Sequence, residues 1–578
     1  MLRGPDVRLR LITALLIAVL LPIIGQLLRL QILEHSRYHA DVETLVRRQY
    51  ALPEPPWGVI LDRNGDLLVG NVPVYDIGIE VNMVQDVELT VAALAPLLNQ
   101  PAETLRELLT MPADTNTLVW QPLASGVSVE TAKEIEALDW PWITMTPTWQ
   151  RFYAEGALAA HTLGFVNANG LGYGVEAFQQ RFLRGEPVQR VGVVSGDASP
   201  LPGEIVSGNM IPYAGTDLRL TIDRTMQAFV EGELEKALVE YNATGGTILV
   251  MNPQTGEILA LASRPAYEPY LYAEYAARGE EKSFIDSAVS VLYEPGSVFK
   301  VVTVAAALDS GKVTLDWSYS DQGAVEYGGV TVHNSDRAAY GQQNLQGILN
   351  YSLNVGAATL TTRAMGPETF FSYVRAFGFG RTTGIEVSGE ASGYVHMPTD
   401  WDWADSYLAT NSFGQGIAVT PLQMATAVAA IANHGVMMQP HVIAERRYSD
   451  GRSVTIPPRS LGQPISAETA NTVSELMARA VDKEVAGAQV PGYRIAGKSG
   501  TAQIPTKGGY ELEAVISSFV GFGPLPDPEV LILVKIDRPD VPVSMRWGLY
   551  TAVPVFQRVA ERVFVLMGVP PSDLRVGP

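Results

Sequence analysis

The chain has 578 residues, 47% hydrophobic and 18% charged, which suits folded domains rather than a disordered chain and implies two or three of them. A formal net charge of -20 excludes a general nucleic-acid binder, since neutralising phosphates needs an excess of Lys and Arg. The absence of cysteine excludes disulfides, thiol catalysis and Cys-ligated zinc, and no residue pattern calls for a metal or any other cofactor.

From Leu11 to Leu28 only Thr13 and Gln26 are polar and none is charged, so this run is long enough to span a bilayer. Arg3, Arg8 and Arg10 precede it, whereas the far side mixes Glu34, Arg37, Asp41, Glu43, Arg47 and Arg48. The cleaner positive cluster is N-terminal. This predicts a cytoplasmic tail over 1–10, a transmembrane helix over 11–28 and an exported remainder. No small-x-small cleavage site follows Leu28, which favours an uncleaved anchor over a signal peptide. No later run is long and charge-free enough to span, so a single-pass topology is expected.

Residues 45–215 read as a spacer domain of mixed strands and short helices. Pro53, Pro55 and Pro56 mark a stiff approach, and Asn64-Gly65 between Val59-Ile60-Leu61 and Leu67-Leu68-Val69 is a hairpin signal. Val91 to Leu98 and Ala102 to Leu109 have helical periodicity. The glycines of 170–174 do not open a helix after a strand with a phosphate-binding pattern, so they make no nucleotide site. His161 reads as structural.

The larger domain follows, over 216–570. Leu218 to Asp223 alternates as a strand does, and 225–241 is helical in pattern. Gly246 to Met251 and Glu257 to Ala262 flank an Asn-Pro…Gly turn, and a second apolar pair, Ser517 to Phe522 and Val530 to Ile536, lies far downstream. Val553 to Met567 is an amphipathic helix. Between the pairs lies a mostly helical insert, with Thr420-Pro421 opening one helix and Gly435 ending it. A sheet built from both ends of a domain with helices inserted between is an α+β arrangement.

Within that insert, Pro295 and Gly296 precede a nearly unbroken apolar segment from Val298 to Leu308, the pattern of a buried helix. Ser297 falls in its first turn, and Lys300, three residues on, shares its face. Burial favours a neutral lysine amine, a form able to activate a serine hydroxyl. Ser-x-x-Lys alone occurs about once by chance in a chain of this length. Two further elements change that: Ser352-Leu353-Asn354, at a junction between helical patterns, and Lys498-Ser499-Gly500-Thr501, in a segment able to form a strand. The three in this order are the signature of active-site serine penicillin-recognising enzymes. Their chemistry suits acyl transfer. Ser297 is the nucleophile and Lys300 its base, Ser352 relays a proton, and Asn354 orients Lys300 and the substrate amide. Lys498, Ser499 and Thr501 offer a cation and hydroxyls to a substrate carboxylate, and Gly500 permits close approach. The N–H groups of Ser297 and Thr501 are placed to stabilise an oxyanion.

On these motifs the chain resembles the class B penicillin-binding proteins, the membrane-anchored peptidoglycan transpeptidases. The likeness extends to Gly58 to Gly65, His161 to Glu176, Leu220 to Asp223, Asn252 to Ala260, Glu294 to Ser297, Gly378-Phe379-Gly380, Thr383-Gly384-Ile385, Phe413 to Gly416 and Thr420 to Gln423. The resemblance implies an antiparallel sheet flanked by helices, a helical subdomain, and a pedestal or dimerisation-like domain over 45–215. It implies an extracytoplasmic D,D-transpeptidase that cross-links stem peptides through an acyl-enzyme, is acylated by β-lactams at Ser297, and works beside a membrane-embedded glycan polymerase. Three positions depart from the family pattern: Trp57, where Arg is usual, Ser499, where Thr is commoner, and Tyr270, where Asn is frequent. A D,D-carboxypeptidase and a β-lactam sensor without cross-linking activity are the alternatives. A class A β-lactamase lacks support, because Glu368, Glu386 and Glu390 lie in other contexts than its catalytic glutamate.

Overall fold

The computed structural model describes residues 5–33, 47–51, 55–110, 120–167, 169–185, 189–193, 214–506 and 509–575. Arg3, the flanking charges Glu34, Arg37, Asp41 and Glu43, and Pro53 lie outside the described residues. The chain forms two compact units, one made from 1–56, 73–149 and 185–214, the other from 57–72, 150–184 and 215–578.

The first unit begins with a single helix, Pro5–Leu28, of 24 residues. At 1.5 Å per residue it is about 36 Å long, enough for the ~30 Å hydrocarbon core of a bilayer. From Arg10 to Leu28 its side chains are exposed, so among the described residues the apolar surface has no packing partner. Further on, Val74–Glu80 of the strand Leu67–Glu80 pairs antiparallel with Trp120–Ser128. Helices Val87–Leu97, Ala102–Leu109 and Val129–Glu136 close a small core of Ile77, Ile79, Val91, Leu94, Leu105, Leu109 and Ile135. The first of these helices starts four residues before the apolar periodicity does. Asp86 explains this, because its carboxylate accepts from Leu89 N at 3.0 Å and caps the helix there.

The second unit is organised around a five-stranded antiparallel sheet. The hairpin Gly245–Met251 and Ile258–Arg264 joins the downstream pair Gly509–Gly523 and Val530–Asp537 by pairing of Gly245–Met251 with Val530–Asp537. Ala496–Thr506 pairs with Gly509–Gly523 and forms the free edge. Both faces are buried, which is why these strands read as almost unbroken apolar runs rather than alternating ones. On one face, helices Arg224–Glu240 and Ala552–Leu566 press Val230, Leu234, Val559 and Val563 onto Ile248, Val250, Ile532 and Val534. On the other, Leu249, Met251, Leu531 and Leu533 share a core with Phe299, Val302 and Ala305.

Helix Pro421–Ala432 is buried along its whole length and opens with a capping box between Thr420 and Gln423. The insert that reads as helical also contains two ribbons, Ser318–Asp321 with Gly341–Asn344 and Ala324–Tyr327 with Val330–His333. Gly328-Gly329, with φ of 56° and 80°, is the two-residue turn of the second ribbon and the signal that a helical reading overlooks.

One buried charge ties the N-terminal segments of this unit together. Glu176 is inaccessible to solvent and accepts from Arg151 Nε at 2.7 Å and Tyr153 OH at 2.8 Å. Arg151 also donates to Gly58 O and Asn71 Oδ1, both at 3.0 Å, and its guanidinium lies 5.7 Å from the centre of the Trp57 ring. Trp57, one of the three departures from the family pattern, thus packs against the cation that neutralises Glu176. Removing that cation alone leaves an uncompensated buried carboxylate. Arg151→Met is expected to destabilise the protein by about 3 kcal/mol in denaturant titrations, and adding Glu176→Gln to recover most of it. Losses that simply add in the double variant would contradict the pairing.

Candidate active site

Gly296–Phe299 forms a 3₁₀ turn that runs into the α-helix Lys300–Asp309. Ser297 therefore sits in a tighter turn than the α-helical one expected. Residues three apart eclipse one another in such a turn, and Lys300 Nζ lies 2.9 Å from Ser297 Oγ. The turn is braced from outside, since Gly296 N donates to Gly414 O at 3.1 Å. A Cβ on Gly414 would lie 2.2 Å from Gly296 O, so the approach requires glycine.

Lys300 is completely buried. Besides Ser297, its ammonium reaches Ser352 O at 2.5 Å, Ser352 Oγ at 3.1 Å and Asn354 Oδ1 at 2.8 Å. All four neighbours are neutral oxygens, and among the described residues no carboxylate pairs with it. Burial, and secondly the nearby charge of Lys498, hold Lys300 well below the ordinary lysine range.

Ser352 follows the helix Leu345–Asn350 and has φ of +54°, a left-handed conformation rare for a residue with a side chain. The bend turns both its carbonyl and its hydroxyl to Lys300, and the next helix, Asn354–Thr359, begins at once. Asn354 Nδ2 donates to His333 O at 3.0 Å, which leaves Oδ1 facing the lysine.

Lys498 comes from the edge strand. It is 3% exposed, and its Nζ donates to Ser352 Oγ at 3.1 Å and Ser499 O at 2.9 Å. Burial lowers it to about 7. Two buried amines thus share one serine hydroxyl. Gly500 lets the strand lie against the nucleophile turn, because a Cβ there would be 2.8 Å from Val298 Cγ2 and 3.0 Å from Pro295 O. Thr501 Oγ1 accepts from Gly548 N at 3.0 Å. Ser499 and Thr501 are half-buried. As the sheet edge, this strand leaves alternate backbone groups without a sheet partner, a ready template for an extended peptide.

The structure therefore brings Ser297, Lys300, Ser352, Asn354 and Lys498 into one hydrogen-bonded network, with Ser499, Gly500 and Thr501 along the adjoining strand. The backbone oxygens of His333 and Gly414 also belong to it. Sequence reading misses both, since a carbonyl carries no residue-type signature.

Residues 246–561 match the family model described as the penicillin-binding protein transpeptidase domain, and residues 53–198 match the penicillin-binding protein dimerisation domain. Stage V sporulation protein D of Bacillus subtilis is 32% identical over 529 residues, covering 90% of this chain and 80% of its own. The probable peptidoglycan D,D-transpeptidase PbpC of Pseudomonas aeruginosa is 30% identical over 580 residues, covering 99% and 97%. Penicillin-binding protein 3 of Mycobacterium tuberculosis, solved in complex with aztreonam, superposes with a TM-score of 0.68 at 26% identity, covering 91% of this chain and 98% of that one.

The depressed Lys498 has a consequence for stability. An unfolded lysine titrates near 10.4, so the unfolded state binds more protons than the folded one between about 7 and that value. The cost of burying Lys498 is then complete below pH 7 and fades as the pH rises towards 10. Lys498→Met is expected to be more stable than the wild type, by up to ~4 kcal/mol below pH 7 and progressively less above it, in urea titrations across that range. A stability difference that does not change with pH would contradict the buried, depressed amine.

Proposed function

Because the chain belongs to the class B penicillin-binding proteins, whose transpeptidase domain spans more than half of its 578 residues, we propose that it is a serine peptidoglycan D,D-transpeptidase with Ser297 as nucleophile. The observation that carries this reading is the Lys300 amine, buried with no paired carboxylate among the described residues and within hydrogen-bond distance of Ser297, Ser352 and Asn354. When Lys300 is neutral, the Ser297 hydroxyl donates to it, and the amine takes the proton as Oγ attacks the carbonyl of the donor stem peptide. The N–H groups of Ser297 and Thr501 stabilise the tetrahedral oxyanion. Collapse breaks the peptide bond to the terminal D-alanine, and its amine leaves with a proton passed from Lys300 through Ser352 Oγ. The amine of a neighbouring stem peptide then attacks the acyl-enzyme ester along the reverse proton route, forming the cross-link and freeing Ser297. Lys498, in its charged form, holds the substrate carboxylate with Ser499 and Thr501, while Gly500 keeps the strand against the turn.

The assignment extends to architecture and place. Residues 216–570 are the transpeptidase domain and 45–215 the pedestal. The helix near the N-terminus anchors the protein as a single pass, with the short arginine-bearing end in the cytoplasm and the catalytic domain outside. β-Lactams acylate Ser297 as substrate mimics, and a membrane-embedded glycan polymerase supplies the strands to be joined.

Fluorescent penicillin is expected to label the wild type and leave Ser297→Ala unlabelled, whereas labelling of that variant would falsify the nucleophile. Lys300→Ala should lower acylation about 10²-fold or more while keeping the fold. With lipid-linked precursor and a polymerase, the wild type should yield cross-linked dimers. Trimmed monomers alone would favour the carboxypeptidase.

A further inference from the structure

The helix that presents Asn354 starts without a cap of its own. Its N-cap residue is Leu353, which has no side-chain acceptor, and the first N–H groups of a helix lack intrahelical partners. Asn334 supplies one across space, its Oδ1 accepting from Val355 N at 3.1 Å. An amide can turn over and present its NH₂ instead, so something must decide which end faces the helix. Asp321 does this. Asn334 Nδ2 donates to Asp321 Oδ1 at 3.0 Å and Oδ2 at 3.1 Å, and to Ala338 O at 3.0 Å, which leaves only the amide oxygen for Val355.

Asp321 and Asn334 are 1% and 2% exposed. Among the described residues no cation pairs with Asp321. Its carboxylate is compensated by hydrogen bonds alone, from Asn334, Gly323 N at 2.8 Å and Tyr319 OH at 3.1 Å. Asn334 also follows His333, whose carbonyl accepts from Asn354 itself. One short ribbon end therefore grips the Asn354 helix twice, once by its backbone and once by its capping amide.

We propose that Asp321 and Asn334 are positioning residues for the reaction. The carboxylate orients the amide, the amide caps the helix, and the capped helix holds Asn354 Oδ1 at 2.8 Å from the Lys300 amine. Neither residue bonds to Ser297 or Lys300 directly. Their role rests on the reading of Lys300 as base. It extends that reading to what keeps the amine's solvation shell in place while the proton moves.

The test compares wild type, Asp321→Asn and the swapped pair Asp321→Asn/Asn334→Asp. Asp321→Asn is nearly isosteric but places an NH₂ where Asn334 needs an acceptor. Its acylation by fluorescent penicillin is expected to slow about tenfold or more, as for a catalytic group displaced by a fraction of an ångström. The loss should fall on the covalent step rather than on the preceding affinity, with the rising limb of the pH–rate profile displaced. In the swapped pair the carboxylate at 334 accepts from Val355 N and from the new amide at 321, while Ala338 O loses its donor, so a substantial part of the rate should return. Acylation of Asp321→Asn within twofold of wild type at every pH overturns the proposal. So does a folded swapped pair no faster than the single variant. If Asp321→Asn fails to fold, the swapped pair decides alone, supporting the role if it acylates within about tenfold of the wild-type rate and overturning it if it folds and acylates no faster than Asn354→Ala. A wild-type chain that penicillin does not label overturns the Ser297 reading and this one with it, an outcome visible before any variant is made.

Discussion

Lys300 is a completely buried amine whose neighbours are four neutral oxygens. An ammonium in that setting gains little Coulombic compensation, and the Lys498 amine nearby adds repulsion, so the group is driven towards its neutral form. Much of the larger unit serves to keep those oxygens where they are. The 3₁₀ turn brings Ser297 over the lysine, and the left-handed bend at Ser352 aims a carbonyl and a hydroxyl at it. The Asn354 helix adds the fourth oxygen, and the apolar helix Lys300–Asp309 packs on the other side. A carboxylate in place of any of these oxygens would make a better ion pair and a worse base.

Lys498 extends the same logic to substrate binding. It meets Lys300 only through Ser352 Oγ, 3.1 Å from each amine. That hydroxyl can accept from one amine and donate to the other, so it offers a proton a route between the base side and the leaving-group side of the site. The strand carrying Lys498 is a sheet edge, where an extended peptide can add as a further strand. Binding a carboxylate would supply a counter-charge and favour the charged form of Lys498, leaving Lys300 the more easily kept neutral of the two. The pair thus has room to divide one charge between two tasks.

Much of this was legible in the residues. The two apolar strand pairs stand out because both faces of the sheet are buried, and helix Pro421–Ala432 announces itself through Thr420, Pro421 and Gln423. The five polar residues of the network could be named from spacing, since Ser-x-x-Lys, Ser-x-Asn and Lys-Ser-Gly each place side chains by local geometry. What escaped notice depends on contacts between distant segments. The capping of Val355 by Asn334 joins positions 21 apart, and its control by Asp321 adds another step along the chain. The Gly414 brace on Gly296 is backbone to backbone and needs glycine only because of what lies opposite. The ribbons between 318 and 344 are short, and most of their exposed positions are polar, so apolar periodicity says little there. The tight turn at Ser297 also escapes, because an i,i+3 pair reads the same in a 3₁₀ and an α-helix.

The central claim is that Lys300 is neutral in the working enzyme because of where it is buried. Its titration can be followed directly by NMR on protein labelled at lysine Nζ, with Lys300→Arg used to assign the signal. The geometry predicts a midpoint well below that of an ordinary lysine, because burial and the nearby Lys498 charge both disfavour the ammonium. A midpoint near 10.4, the value of a solvated lysine, would contradict the account and leave Ser297 without its base.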